Sequence, residues 1–258
     1  MTNFTQAIVR PPGQNFAQGL SSANLGPPDL DLALAQHAAY CDALRRCGLA
    51  VTALAADPGF ADGTFVEDTA VIGARAAVAT RPGAASRRGE VRSILGCLRG
   101  MRREIHEIRA PGTLDGGDVC QAQSHFFIGI SARTNPEGAR QLAGILCAAG
   151  YTCSTVDIRG NGPLLHLKSG IAYLGDNRLL LAPFLPLTDE MRGFEHIAVC
   201  AEEAYAANCV RINDRLLIAD GHPRTAATLR ACGYSTLPLA MSEFRKLDGG
   251  LSCLSLRF

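Results

Sequence analysis

Residues 249–258 read GGLSCLSLRF, and this short C-terminal run decides the fold because it is the missing part of a repeated pattern. Between residues 64 and 240 the chain has four nearly complete copies of one unit: two short apolar strands, a helix and a further strand. The C-terminal run supplies the leading strand of a fifth copy, and residues 7–56 supply the rest. A repeat divided between the chain ends predicts a ring that its own termini close, which removes exposed sheet edges.

The helices of the five units are recognised by apolar residues at helical spacing. They are expected at residues 31–48, 86–100, 136–150, 187–194 and 223–233. Residues 1–258 are therefore predicted to form one α/β domain without a linker, a pseudosymmetric ring of ββαβ units. A doubly wound parallel sheet is the alternative, because strands and helices alternate. The paired strands before each helix disfavour it.

The composition excludes several classes of protein. Of the 258 residues, 47% are hydrophobic and 19% are charged, and the formal net charge is +1. This balance gives no electrostatic reason to expect nucleic acid or a membrane as partner. The first residues lack the pattern of a signal peptide, and no apolar run approaches the ~18 residues of a membrane span. We expect a soluble, cytoplasmic protein.

The ten cysteines are irregularly spaced and include no CxxC pair, so neither a disulfide framework nor a structural zinc site is predicted. We expect no metal and no cofactor. Five of the cysteines fall in helix-like segments, where a free cysteine acts as a small hydrophobe. These are Cys41, Cys47, Cys97, Cys147 and Cys232.

Polar residues stand at the starts of four units, where buried strands should be apolar. They are Glu67 and Asp68, Asp115 and Asp118, His166 and Lys168, and Cys253. If the units are related by rotation, equivalent positions meet around the axis and these side chains converge on one pocket. A cysteine, a histidine and an acid that orients it form the set for covalent catalysis by a thiolate. The alternative for His166 is a satisfied core histidine.

Several carboxylates in one pocket repel one another unless a cation lies between them. Asp62, Glu67, Asp68 and Asp115 would form such a group. A guanidinium suits it, because planar N–H donors pair with carboxylates in bidentate fashion. The alternative for Asp62 is an ordinary turn acid in FADGT. Arg87 and Arg133 lie just before helices, where an anion can be held; a solvated helix start is their alternative.

Eight segments together resemble the dimethylarginine dimethylaminohydrolase family, and they occur in the same order from about Ile8 to Phe258. They are FVEDTAVI (65–72), TRPGAASRRGE (80–90), APGTLDGGDV (110–119), ISARTNPEGARQLAGIL (130–146), HLKSGIAYL (166–174), YAANCV (205–210), GHPRT (221–225) and KLDGGLSCLSLRF (246–258). The family belongs to the guanidine-modifying superfamily. The resemblance therefore implies its five-bladed α/β propeller, the pentein fold.

The resemblance also implies a reaction. Cys253 would attack the guanidinium carbon of an Nω-methylated arginine, and His166 would protonate the departing methylamine or dimethylamine. His166 would then take a proton from water, which releases citrulline from a covalent thiouronium. Asp115 would orient His166, although some relatives carry Glu at this position.

The implied substrate contacts are spread over the chain. Carried over by position, they are Glu67 and Asp68 to the guanidinium, Asp62 and the Leu20 backbone to the α-ammonium, Arg87 and Arg133 to the α-carboxylate, and Leu247 and Ser252 beside the nucleophile. Residues 19–26 match a mobile lid. The expected partner is this small-molecule substrate, and a homodimer is left open. Carboxylates near Cys253 lead us to expect a resting thiol that ionises when a cation binds.

Four rival functions are weighed against this one. An amidinotransferase would use an amine acceptor in place of water, and such enzymes tend to be larger. An arginine deiminase acts on unmethylated arginine or a related guanidino compound, but deiminases commonly carry an inserted helical segment for which this chain has no room. A non-catalytic guanidino binder would not need Cys253, His166 and Asp115. A zinc-binding regulator would have only two ligands, Cys253 and His166, which are too few for a structural site.

Overall fold

The computed structural model describes residues 3–100, 104–162 and 164–258. Its strands and helices are numbered here in chain order. The strands are β1 (Gln6–Val9), β2 (Ala50–Ala53), β3 (Ala70–Ile72), β4 (Ala77–Ala79), β5 (Ile105–Glu107), β6 (Val119–Ala122), β7 (His125–Ile130), β8 (Thr152–Asp157), β9 (Ile171–Gly175), β10 (Arg178–Leu181), β11 (Glu195–Ala198), β12 (Val210–Ile212), β13 (Arg215–Ala219), β14 (Ser235–Leu239) and β15 (Leu256–Arg257). The helices are α1 (Leu30–Arg46), α2 (Val91–Arg99), α3 (Pro136–Ala148), α4 (Pro223–Ala231) and α5 (Ser242–Arg245).

The strands form five three-stranded sheets, and all five have the same topology. In each sheet an antiparallel pair is followed by a parallel strand, as in β6, β7 and β8. A helix precedes the parallel strand in four of the sheets: α1 precedes β2, α2 precedes β5, α3 precedes β8 and α4 precedes β14. The predicted pseudosymmetric arrangement of five ββαβ units is therefore confirmed.

The chain ends close the arrangement as predicted. The C-terminal β15 pairs antiparallel with β1, so that Ala7 lies opposite Arg257 and Ile8 opposite Leu256. The parallel partner of β1 is β2, which completes the sheet that the two chain ends share. Pairing the two termini satisfies backbone groups that would otherwise lie at a sheet edge.

The helices begin where their sequences supply a cap. Asp29 accepts a hydrogen bond from the backbone N–H of Leu32 at the start of α1, and Asn135 accepts one from Gly138 at the start of α3. Helix α3 buries Leu142 and Leu146 completely beneath β7 and β8. Burial of each such leucine contributes roughly 2 kcal/mol to folding.

The unit that contains β9, β10 and β11 differs from the prediction. Residues 187–194 form only a 3-10 turn at Met191–Gly193, where a helix was expected. The segment lies between Pro186 and the next strand, which leaves it too short for stable helix propagation. Met191 is completely buried and is the apolar anchor of this connection.

Each unit starts with a 3-10 turn just before its first strand, and these five are called the inner turns. They are Val66–Thr69, Gly116–Asp118, Leu167–Ser169, Ala201–Ala207 and Leu251–Leu254. Consecutive inner turns lie against one another from the last turn through the first to the fourth. The sequence predicted strands over three of these turns, Val66–Thr69, Gly116–Asp118 and Leu251–Leu254. A turn frees backbone N–H groups from the sheet ladder, and buried carboxylates can then accept hydrogen bonds from them.

The structure describes all ten cysteines, and each is a free thiol. Those in helix-like segments lie in or at the end of a helix as expected, although Cys147 is exposed. Among the described residues, no helix combines the length and apolar character that crossing a bilayer requires.

Candidate active site

His166 and Asp115 form a buried pair, and each residue directly precedes an inner turn. The Nε2 atom of His166 lies 3.0 Å from Oδ2 of Asp115, and the other carboxylate oxygen accepts the backbone N–H of Gly83 at 2.8 Å. Asp115 is completely buried and His166 is 6% exposed. The carboxylate is thus held at both oxygens, which fixes the direction from which it meets the imidazole.

The two glycines after Asp115 make this contact possible. A Cβ atom on Gly116 would lie 2.1 Å from the carbonyl oxygen of Glu67. On Gly117 it would lie 2.8 Å from both Oδ1 of Asp68 and Nδ1 of His166. The inner turns can pack this closely only because both positions lack side chains.

Asp68 completes the acidic surroundings of His166. Its Oδ1 atom accepts the N–H of Gly117 at 2.9 Å and lies 4.0 Å from Nε2 of His166. Its Oδ2 atom accepts a hydrogen bond from Arg87 at 2.6 Å. Burial would raise the pKa of Asp68, but the charges of His166 and Arg87 hold it at about 2. Asp68 is therefore ionised.

The same carboxylates keep His166 protonated. Burial lowers the pKa of the imidazole, but the charge of Asp68 and the hydrogen bond to Asp115 outweigh it and raise the pKa to about 9. The imidazolium, which can act as an acid, is the resting form near neutral pH.

Cys253 lies in the same pocket, within the inner turn Leu251–Leu254. The N–H of Gly250 donates to its Sγ atom at 3.4 Å. Burial, together with the charges of Glu67 and Asp68, raises the pKa of the thiol to about 12. This supports the expectation of a resting thiol.

Known proteins resemble the chain over its whole length. The dimethylarginine dimethylaminohydrolase of Pseudomonas aeruginosa is 44% identical over 256 residues, which are 99% of this chain and 100% of that protein. The chain belongs to the dimethylarginine dimethylaminohydrolase family. No protein-family model matches it.

Solved structures of dimethylarginine dimethylaminohydrolases have the same fold. A cysteine-to-serine variant of the Pseudomonas aeruginosa enzyme in complex with citrulline has a TM-score of 0.96 at 43% identity, with 100% of both chains covered. A histidine-to-glycine variant, an adduct with S-methyl-L-thiocitrulline, has a TM-score of 0.95 at 43% identity over 99% of this chain and 100% of that chain. The fold is the pentein fold that the sequence resemblance implied.

Most of the predicted site residues line one small pocket with about 20 Å³ of free volume. They are Leu20, Asp62, Asp68, Arg87, Arg133, His166, Leu247 and Cys253. Asp115 lies behind His166, to which it is hydrogen-bonded. The free volume suits one water molecule rather than an amino acid, so a ligand requires the pocket to open.

The segment 19–26 covers this pocket. The N–H of Leu20 donates to Oδ1 of Asp62 at 3.0 Å, and the hydroxyl of Ser21 donates to the Lys246 carbonyl at 2.6 Å. Ser22 donates its N–H and its hydroxyl to Oδ2 of Asp248, at 2.6 and 3.0 Å. The bonds of Ser21 and Ser22 join the segment to residues just before the inner turn Leu251–Leu254, which carries Cys253. Sequence reasoning missed Asp248, although its Asp-Gly pair signals a turn.

Glu67 and Ser252 line a different and larger cavity of about 660 Å³. Oε1 of Glu67 accepts hydrogen bonds from Lys168 at 2.8 Å and Arg257 at 2.9 Å. Its Oε2 atom is buried and has no hydrogen-bond partner within the described part of the chain. Ser252 is held by Asn208, which accepts its backbone N–H at 2.9 Å. The adjacent acids Glu67 and Asp68 thus face different cavities.

Arg87 is buried among protein acceptors. Its Nε and Nη atoms donate to Glu90 at 2.8–3.2 Å, and a further bond goes to Asp68. The charges of Asp68 and Glu90 overcome the effect of burial and raise the pKa of Arg87. Glu90 carries no functional signal in the sequence beyond its charge three residues after Arg87. Arg133 reaches the same pocket from the loop after β7.

A metal could be offered three ligand atoms here. Atoms of Asp68, Asp115 and His166 lie within 4.8 Å of one another. Both carboxylates are already engaged, by Arg87 and Gly117 on one and by Gly83 on the other. His166 is protonated and cannot ligate a cation in that form. These three groups therefore suit a protonated histidine held by two carboxylates better than they suit a metal centre.

Proposed function

We propose that this chain hydrolyses Nω-methylated arginines, namely asymmetric dimethylarginine and monomethylarginine, to citrulline and dimethylamine or methylamine. The observation that carries the proposal is the buried pair of His166 and Asp115 in contact with the pocket that holds Cys253. Family membership supports the same reaction, because a relative carries this enzyme name and solved relatives hold citrulline or a thiocitrulline adduct.

In the first step, binding of the cation makes the Cys253 thiol give its proton to solvent, and the thiolate sulfur then attacks the guanidinium carbon and forms a carbon–sulfur bond. The carbon–nitrogen bond to the methylated nitrogen breaks, and that nitrogen takes a proton from the His166 imidazolium. The amine leaves, and a thiouronium stays on the sulfur. The cationic substrate adds positive charge beside Glu67 and Asp68, whose charges otherwise oppose formation of the thiolate.

In the second step, His166 removes a proton from water as the water oxygen attacks the thiouronium carbon. The carbon–sulfur bond then breaks, the leaving sulfur takes the remaining proton of the new hydroxyl group, and citrulline is released beside the restored thiol and the protonated His166. Asp115 stabilises the imidazolium in the first step and orients the neutral ring in the second. One histidine thus transfers a proton in both directions.

The substrate contacts follow the positions of the charges. Asp68, which lines the pocket, suits the guanidinium, and Asp62 with the Leu20 backbone suits the α-ammonium. Glu67 stays a predicted second contact to the guanidinium, and this contact requires its side chain to turn away from the larger cavity. Arg133 and Arg87 suit the α-carboxylate, with Arg133 the more accessible of the two. Leu247 and Ser252 would flank the nucleophile.

The proposal treats residues 1–258 as one catalytic domain in the cytoplasm. The pairing of the two termini supports a single unit. Ten free thiols suit a reducing compartment. A homodimer stays a prediction, which sedimentation equilibrium tests.

The deciding experiment is a substrate panel with citrulline as the readout. Arginine, monomethylarginine and the asymmetric and symmetric dimethylarginines are compared at equal concentrations with the purified full chain. We expect turnover of the asymmetric dimethyl and monomethyl forms, and none by the Cys253→Ser variant, which should still bind citrulline. Equal or faster turnover of plain arginine would contradict the proposal and favour a deiminase. Binding without any turnover would favour a non-catalytic guanidino binder.

A further inference from the structure

Asp118 connects two parts of the site without lining the pocket. It is completely buried and ends the inner turn Gly116–Asp118. Its Oδ1 atom accepts the backbone N–H of Leu167 at 2.9 Å. Its Oδ2 atom accepts hydroxyl hydrogen bonds from Ser131 at 2.6 Å and Thr134 at 2.7 Å. The two oxygens thus contact two different segments of the chain.

The first contact holds the backbone that carries His166. Leu167 directly follows His166 and begins the next inner turn. Gly129 of β7 lies over this contact, since a Cβ atom there would be 2.9 Å from Oδ1 of Asp118 and 2.9 Å from Cβ of Leu167. The backbone of Leu167, directly after His166, is therefore held between the carboxylate of Asp118 and the sheet of β6, β7 and β8.

The second contact holds the loop 131–134, which carries Arg133. The Ser131 hydroxyl donates to Asp118 and accepts the N–H of Arg133 at 2.9 Å and of Thr134 at 3.1 Å. A serine oxygen has two lone pairs, so this hydroxyl is fully used. The backbone of Arg133 consequently has its direction set by Asp118 through one intermediate atom.

The third contact returns to the orienting acid. The Thr134 hydroxyl donates to Asp118 and accepts the N–H of Asp115 at 3.1 Å. The backbone N–H of Asp118 donates to the carbonyl of Asp115 at 3.0 Å. A Cβ atom on Gly83, whose N–H binds the Asp115 carboxylate, would lie 2.3 Å from the Arg133 carbonyl oxygen. Hydrogen bonds therefore connect Asp118, Thr134 and Asp115 to one another.

We propose that Asp118 is a positioning residue that fixes the separation between Arg133 and His166, and with it the substrate length that the site accepts. The inference rests on the proposed function, in which Arg133 holds the α-carboxylate and His166 serves the guanidinium end. A substrate bound at both ends reacts only if the two anchors are correctly spaced. A misplacement of about 1 Å can cost roughly a hundredfold in rate.

Asparagine is the informative replacement because it keeps the size of the side chain. If its amide nitrogen faces Leu167, two donors oppose each other. If it faces the hydroxyls, Ser131 has no free lone pair to accept from it. Either orientation breaks one connection, and leaving a buried donor unsatisfied is costly.

The replacement also removes a negative charge near His166. The acidic groups that act on the imidazole are Asp68 in the inner turn Val66–Thr69, Asp118 in the inner turn Gly116–Asp118, and Asp115 directly before that turn. The remaining charged or titratable groups that line the same pocket are Asp62, Arg87, Arg133, Asp248 and Cys253. Among these, Asp118→Asn changes one charge and leaves the others in place. We expect His166 to titrate at a lower pH in this variant.

Glu203 provides a matched control. It is a buried carboxylate that accepts the N–H of Arg224 at 3.0 Å and the N–H and hydroxyl of Thr225 at 2.7 Å each. It thus resembles Asp118 in burial and in hydrogen bonding, but it binds the start of α4. Glu203→Gln should lower stability in the same way and leave the kinetics unchanged.

The experiment compares wild type, Asp118→Asn, Ser131→Ala and Glu203→Gln in three measurements: kcat, citrulline Kd by calorimetry, and the His166 ring titration by NMR. Asp118→Asn should lower kcat and raise Kd by at least about tenfold each, and shift the titration. Ser131→Ala, which keeps the Leu167 contact, should raise Kd and leave the titration unchanged. Glu203→Gln should match wild type.

Two results would overturn the inference. One is an Asp118→Asn variant with wild-type Kd, kcat and titration; the other is a Glu203→Gln variant whose Kd and kcat change as much. If Asp118→Asn does not fold, an unchanged Kd in Ser131→Ala refutes the connection to Arg133. If the wild type forms no citrulline from methylarginines, the proposed function fails. The His166 titration still decides whether Asp118 acts on the histidine.

Discussion

The Nε2 atom of His166 lies 3.0 Å from Oδ2 of Asp115, in surroundings from which water is almost entirely excluded. At this depth the interaction of the two groups is much stronger than on a surface. It keeps a proton on the imidazole, and a weak leaving group such as an alkylamine needs that proton. Asp115 has a short side chain, and the inner turn Gly116–Asp118 that follows it brings its carboxylate within hydrogen-bond distance of His166.

Asp115→Asn should reduce citrulline formation by roughly a hundredfold, because an amide cannot stabilise the imidazolium as a carboxylate does. One amide orientation would also place two donors against each other. Asp115→Glu restores the charge and should recover part of the rate. The measurement is kcat for asymmetric dimethylarginine. Equal rates in the Asn variant and wild type would show that the pair is only structural.

A cation in the pocket should ionise Cys253. The thiolate fraction is followed by its ultraviolet absorbance against pH, with Cys253→Ser as the blank. A guanidinium analogue of arginine that is not turned over should shift the titration to lower pH, because it offsets the charges of Glu67 and Asp68. Citrulline has the same shape without the charge and should give a much smaller shift. Identical curves with both ligands would rule out this activation.

The charge of His166 should make stability depend on pH. Its pKa is raised to about 9 in the folded protein, from a reference value of 6.5. The resulting stabilisation is complete below pH 6.5 and is lost as the pH rises through 9. The loss should be on the order of 3 kcal/mol. Urea unfolding of wild type and His166→Gln at pH 6 and pH 9.5 measures it; equal pH dependence in both would contradict the assignment.

Gly117→Ala should damage the site, because the added methyl would lie 2.8 Å from both Asp68 and His166. We expect kcat to fall by roughly a hundredfold. Gly144→Ala is the matched change in α3, where a Cβ atom meets nothing within 4 Å. It should leave kcat unchanged and raise the unfolding free energy by up to about 1 kcal/mol. Wild-type kcat in Gly117→Ala would show that the turns tolerate separation.

Several features could be predicted because their signal lies in local sequence. Paired apolar runs followed by helical spacing identified the units, and the single strand at 249–258 identified the closure. Polar residues in otherwise apolar runs predicted that Cys253, His166 and Asp115 lie close together, and the structure brings them together. The inner turns were missed, since a short run before a strand reads as part of that strand. The helix expected at 187–194 failed for a similar reason: local composition does not report the space between neighbouring strands.

Residue order alone predicts the repeated unit, the closure by the termini and the residue types that come together, because buried segments show a regular spacing of apolar residues. The contacts that each of these residues makes depend on the tertiary structure. Neighbouring Glu67 and Asp68 face different cavities, Arg87 is paired with Glu90 and Asp68, and Asp118 joins the His166 turn to the Arg133 loop. These relationships depend on directions and distances between segments far apart in the chain, which residue order does not encode locally.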